Sequence, residues 1–188
     1  MHAELIEDFY IEELNDIRDA EKQLLKMLPR MAQAATSPDL KTTFEQHAFE
    51  TENQIRRLEQ VFSRLHEPAK RRRCKAMAQL LKAAEEFLGE DAVSEVIDLG
   101  LITAAQKAEH YEIASYGSLT TFARLLGHLQ DEELLGQTLQ EEKLTHATLA
   151  SIAQEITVEM PTGETPRPQH GIKSPSPNKP RVPINRRS

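Results

Sequence analysis

Several carboxylates and one histidine stand where a helical protein should carry apolar side chains. Glu21 falls between Ile17 and Leu24, and His47, Thr51 and Gln54 continue the face that Phe44 begins. Glu109 and Glu112 follow Ala105 and precede Tyr116 and Leu119, and Glu142 falls between Leu135 and Leu149 with Thr138 and Thr145 beside it. Glu50 lies one helical turn from both His47 and Gln54. Singly, each has a plain explanation: a Glu at a bundle edge reaches water, and a core histidine finds a neighbour. Jointly they bring five carboxylates from four segments toward one interior, where each unpaired charge costs several kcal/mol or forces protonation. Lys22, Lys26, Arg57, Lys107 and Lys143 all fall beside or opposite these positions, so the sequence offers no basic partner on the same faces. A bound cation is the remaining counter-charge. Oxygen donors with one or two imidazoles and no thiolate suit iron or manganese, although donor type alone also admits calcium or magnesium.

The elements that must position these residues are long helices. Leu, Ala, Glu, Gln and Lys dominate the body of the chain, Gly numbers 7 and Trp is absent, a composition that favours helix over sheet. Apolar residues recur at helical spacing over four segments: from about Ile6 to Ala35, from Pro38 to Leu65, from Asp91 to Gly127, and from Asp131 to Met160. Pro29 lies inside the first and predicts a kink unless packing absorbs it. Ser37 and Pro38 read as a cap and a first helical residue. A few residues join the first segment to the second and the third to the fourth, so each pair is an antiparallel hairpin. The middle connection spans a bundle's length and contains a shorter helical stretch from Cys74 to Leu88, stopped by Gly89. The expected fold is therefore all-α: a ferritin-like four-helix bundle of two antiparallel hairpins with a long crossover, over residues 1–160.

Residues 161–188 hold seven of the ten prolines and little apolar content, and predict a disordered basic tail on an acidic chain of net charge −7. No apolar run is long enough to cross a bilayer. The start MHAELIEDFY lacks the pattern of a secretory signal, and the single cysteine cannot form an internal disulfide; together these point to the cytoplasm. Cys74 lies among Arg71, Arg72, Arg73 and Lys75, which predicts a lowered thiol pKa.

The strings Ala20-Glu21-Lys22-Gln23-Leu24, His47 through Glu50-Thr51 to Gln54, Ala104-Ala105-Gln106-Lys107-Ala108-Glu109-His110-Tyr111-Glu112-Ile113-Ala114 with Tyr116-Gly117, and Glu141-Glu142-Lys143 occur in order. Over about residues 4–158 the chain resembles the YciE/YciF-type ferritin-like family of bacterial stress proteins. That family is similar to rubrerythrins and other di-iron bundles, which implies a homodimer of four-helix domains. By the di-iron pattern, Glu21, Glu50, Glu109 and Glu142 are the carboxylate ligands, and Glu112 resembles the extra carboxylate of rubrerythrins. The chain departs from that pattern where the histidines belong: Asn53 follows Glu50 by three and Thr145 follows Glu142 by three. His47 is the substitute ligand on the other side of Glu50, with His146 as a further candidate. Gln54, Tyr116 and His110 are expected around the ligands.

Three functions fit these features. The first is an oxidoreductase with iron or manganese acting on peroxide, oxygen or ferrous iron. The second is a non-catalytic stress-response bundle whose metal site is structural or vestigial. The third, nucleic-acid binding through the basic tail, is opposed by the acidic body and by the lack of aromatic residues for stacking.

Overall fold

The structure, a computed structural model, describes residues 2–89 and 93–156. Five helices follow one another: α1 His2–Ala34, α2 Pro38–Arg64, α3 Lys75–Glu85, α4 Ser94–Leu126 and α5 Leu129–Glu155. No strand occurs among the described residues. The α1–α2 and α4–α5 hairpins pack α1 on α4 and α2 on α5, which closes the four long helices around one core, while α3 lies against α1 and α4. The last helix is described to Glu155 rather than to Met160, and the Pro-rich stretch expected to be disordered lies outside the described residues.

Each boundary has a local cause. Pro29 does not interrupt α1, although it removes a hydrogen-bond donor. Leu24, Leu28 and Met31 on either side of it are buried, and their packing holds the helix through the missing bond. Ser37 caps α2 by accepting from Leu40 N at 3.4 Å, and Pro38 follows at the first helical position. Gly127, at φ 79°, ends α4: its N–H donates to Arg124 O and that of His128 to Ala123 O, the paired bonds of a left-handed helix stop. Cys74 caps α3, its Sγ accepting from Met77 N at 3.5 Å.

Two polar devices fasten the connections. Asp98 on α4 is buried and accepts from Thr36 N (2.8 Å), Thr36 Oγ1 (2.6 Å) and Ser37 N (2.8 Å), so one carboxylate organises the whole α1–α2 turn. On α1, Asn15, Asp19 and Gln23 form a ladder at four-residue spacing that grips the crossover. Asn15 Oδ1 accepts from Lys70 N (2.6 Å), Asp19 Oδ2 accepts from Cys74 N (2.8 Å), and Gln23 Nε2 donates to Cys74 O (2.9 Å). Where the crossover returns, the Phe87 ring lies directly against Gly100 of α4, in space that a Cβ would occupy.

Replacing Asp98 by Ala should strand buried donors of the turn and lower unfolding free energy by about 2–3 kcal/mol. Denaturant titration would read this as a lower midpoint at unchanged slope.

Candidate metal centre

At mid-height the apolar layers of the core give way to charge. Glu21 (0%), Glu112 (0%), Glu142 (0%), Glu109 (1%) and His47 (2%) are all sealed from solvent. Helical periodicity explains the convergence: each side chain occupies the interior line of its own helix, between the apolar residues one or two turns away. One potential donor atom from each of His47, Glu109, Glu112 and Glu142 lies within 4.8 Å of all the others. This is the spacing of side chains that can share one cation.

The ordinary polar partners do not suffice for this group. Both oxygens of Glu109, both of Glu112, one each of Glu21 and Glu142, and both ring nitrogens of His47 are buried without a hydrogen bond. His47 Nε2 lies 3.0 Å from Glu109 Oε1, close enough for an ion pair but without hydrogen-bond alignment. The remaining contacts orient the carboxylates. Tyr116 Oη donates to Glu21 Oε1, and Gln54 Nε2 donates to Glu142 Oε1. Buried polar atoms are nearly always paired, so this concentration of orphans marks a site built for something further.

The electrostatics follow from burial. Desolvation raises the Glu21 carboxyl to about 7, against the opposing effects of the Tyr116 hydrogen bond and His47. Burial also pushes Glu112 and Glu142 well above the usual carboxylate range; the neighbouring Glu21 and Glu142 add to this at Glu112, and Glu109 and Glu21 at Glu142. For His47, burial alone would favour the neutral ring, but Glu109, Glu50 and Glu142 outweigh it and hold the imidazole well above its ordinary value. Burial drives the Tyr116 phenol well up, reinforced by Glu21, so its proton stays in place as a donor.

Other candidates lie elsewhere. Glu50 is 26% exposed, accepts from Gln46 Nε2 at 2.8 Å and reaches His47 Nδ1 only at 3.9 Å, so it stands at the rim. Asn53 faces out and donates to Phe49 O. His146 is half-buried and His110 exposed; they contact each other and do not join the buried set. Arg57 comes nearer than its sequence position implies. It is 15% exposed, donates to Thr138 Oγ1 and to both Glu141 oxygens, and its charge reaches Glu21. Its guanidinium is thus taken by Glu141 at the edge of the site, which leaves the interior carboxylates with His47 as their basic neighbour. Glu141 carries no signal at helical spacing and is marked in the sequence by the string Glu141-Glu142-Lys143.

Cys74 requires a correction. The basic residues around it do not lower its thiol pKa. Burial raises it instead, followed by the hydrogen-bonding effect of Asp16, because the chain turns the sulfur inward toward Tyr111 Oη at 3.1 Å while Arg72 pairs with Glu12 and Asp16.

An all-helical bundle of two antiparallel hairpins joined by a long crossover is a ferritin-like fold. A two-domain protein from Anabaena variabilis, containing DJ-1/ThiJ/PfpI-like and ferritin-like domains, shares the fold at 15% identity and TM-score 0.54, over 83% of this chain and 40% of that one. The chain belongs to the YciF family: the model of the family described as "Domain of unknown function (DUF892)" matches residues 6–160. It is similar to protein YciF of Escherichia coli, at 44% identity over 81% of this chain and 93% of that protein. The crystal structure of the E. coli stress protein YciF superposes with TM-score 0.77 at 43% identity, over 80% of this chain and 95% of that one. YcfI from Rhodopseudomonas palustris does so with TM-score 0.74 at 40% identity, over 78% and 93%. No helix among the described residues is long and apolar enough to cross a membrane.

A carboxyl whose folded pKa is raised contributes stability that is complete below its unfolded value and is lost as pH rises through the folded one. For Glu21 that window runs from the ordinary carboxyl value of 4.5 to about 7, worth about 3 kcal/mol. Glu112, Glu142 and His47 act in the same sense. Chelator-treated protein should therefore melt at a higher temperature near pH 5.5 than near pH 8, as followed by circular dichroism.

Proposed function

We propose that this protein is a metal-dependent stress protein of the cytoplasm, holding iron or manganese at Glu109, Glu112, Glu142 and His47 and acting on peroxide, oxygen or ferrous iron. The observation that carries the reading is the set of four mutually close donors whose buried oxygens and nitrogens lack hydrogen-bond partners. Three carboxylates and an imidazole without thiolate form a donor set suited to iron or manganese. Such an ion, when bound, supplies one-electron redox chemistry toward oxygen or peroxide.

The protein's own residues have separable tasks in this reading. Glu109, Glu112 and Glu142 bring negative charge, and His47 must release its proton before its ring can act as a donor, so metal uptake expels protons. Glu21 adds a fourth helix to the site and is held in orientation by Tyr116. Gln54 fixes Glu142 from the other side. Apolar residues above and below, including Ile17, Leu24, Leu58 and Leu119, keep bulk water out. The same reading takes the chain as a homodimer, for which the exposed Leu5 and Phe9 of α1 and Leu125 of α4 offer apolar surface.

A second reading, a structural bundle that binds metal without turnover, is favoured by one observation: Glu50 is turned to the rim, which leaves the donor set short of the two-ion pattern. The variant Glu109→Gln with Glu142→Gln separates the two. Under the first reading, natively purified wild type contains iron or manganese by elemental analysis and consumes peroxide or oxidises ferrous iron. The variant then loses both properties, while its metal-free form gains about 2 kcal/mol at pH 8 through relief of buried charge. Reaction at the wild-type rate in a variant without metal would end the first reading. Loss of metal with a change in melting temperature, and no reaction in either protein, would establish the second.

A further inference from the structure

The seam between α4 and α5 carries a second group of donors immediately outside the buried cluster. His110 follows Glu109 on α4, and His146 lies one turn beyond Glu142 on α5. Their rings meet edge to face, with centroids 4.3 Å apart and planes at 74°. His110 is exposed and His146 half-buried, so the pair bridges the surface and the interior.

Three features distinguish this pair from a simple ring contact. His110 Nδ1 lies 2.8 Å from Gln106 O. A ring nitrogen facing a carbonyl must carry the proton, which leaves Nε2 as the lone-pair donor. A backbone carbonyl bound to the remote nitrogen is the usual support of a metal-ligating histidine. His146 Nδ1, in turn, is buried with no hydrogen-bond partner, and buried ring nitrogens ordinarily find one. Finally, the two rings come from different helices of one hairpin and already stand side by side at the seam. Neutral imidazoles prefer transition-metal cations to calcium or magnesium.

The geometry points to His110 and His146 as a second divalent-cation site, which receives the ion at the α4–α5 seam before it passes inward to the carboxylates. Capture exchanges water ligands for two imidazoles, and delivery exchanges those for the oxygens of Glu109 and Glu142, each the sequence or helical neighbour of one member of the pair. No electron changes hands. A net charge of −7 favours approach of cations to the chain. The delivery role rests on the metal reading of the core, whereas the surface site does not.

The test uses the full chain without an affinity tag. In the Glu109→Gln/Glu142→Gln background, nickel(II) is titrated calorimetrically with and without His110→Gln and His146→Gln. Nickel affinity should fall about tenfold or more when both histidines are replaced; an unchanged affinity overturns the site. His110→Gln alters an exposed position and so tests the site without a change in folding. In the otherwise wild-type chain, it should slow manganese(II) uptake several-fold while leaving the final amount unchanged. An unchanged rate, or a wild-type chain that takes up no manganese, overturns the delivery role, and in the latter case the core reading fails while the nickel result stands by itself.

Discussion

The constraint that governs this protein is the cost of concentrating acidic groups away from water. Glu21, Glu109, Glu112 and Glu142 meet in an interior whose basic neighbour is His47, with Arg57 occupied by Glu141 at the edge. Water and ion pairing, the two common remedies, are limited here by burial and by geometry. Protonation is the remedy within the chain's own means, and the raised pKa values of Glu21, Glu112 and Glu142 express it. A cation is the remedy that would also satisfy the orphaned oxygens.

The architecture makes that concentration tolerable. Long helices with apolar residues at both ends can carry a short polar section at mid-height, because each helix is anchored on both sides of it. Leu14 and Ile17 precede Glu21 on α1, and Leu24, Leu28 and Met31 follow it. The fastenings at the periphery then fix the register of the helices. Asp98 ties the α1–α2 turn to α4, and the ladder of Asn15, Asp19 and Gln23 ties the crossover to α1. A slip by one residue on α1, α4 or α5 would turn its carboxylate out of the centre.

Much of this was legible in the sequence, for a physical reason. Burial at helical period is a property of one helix at a time, so the stripes located Glu21, His47, Glu109, Glu112 and Glu142, and the loop lengths located the hairpins. Properties that depend on which helices meet were less legible. Glu50 shares the helix of His47 but lies off the interior line by enough to reach solvent, which spacing alone does not resolve. The basic residues beside Cys74 in sequence diverge from it in space, so burial rather than local charge sets its thiol. Arg57 acquires its role from Glu141, 84 residues along the chain. Asp98 lies in the second turn of α4, and its role depends wholly on the α1–α2 turn that it receives.

Whether a metal ion reconciles the buried carboxylates is open to direct measurement. Anomalous X-ray scattering from crystals of protein supplied with iron or manganese during growth, measured on either side of the metal's absorption edge, addresses it most directly. One or two peaks are expected within bonding distance of Glu109, Glu112, Glu142 and His47. Well-ordered density for these side chains with no anomalous peak among them, or a peak only elsewhere on the molecule, would contradict the metal reading.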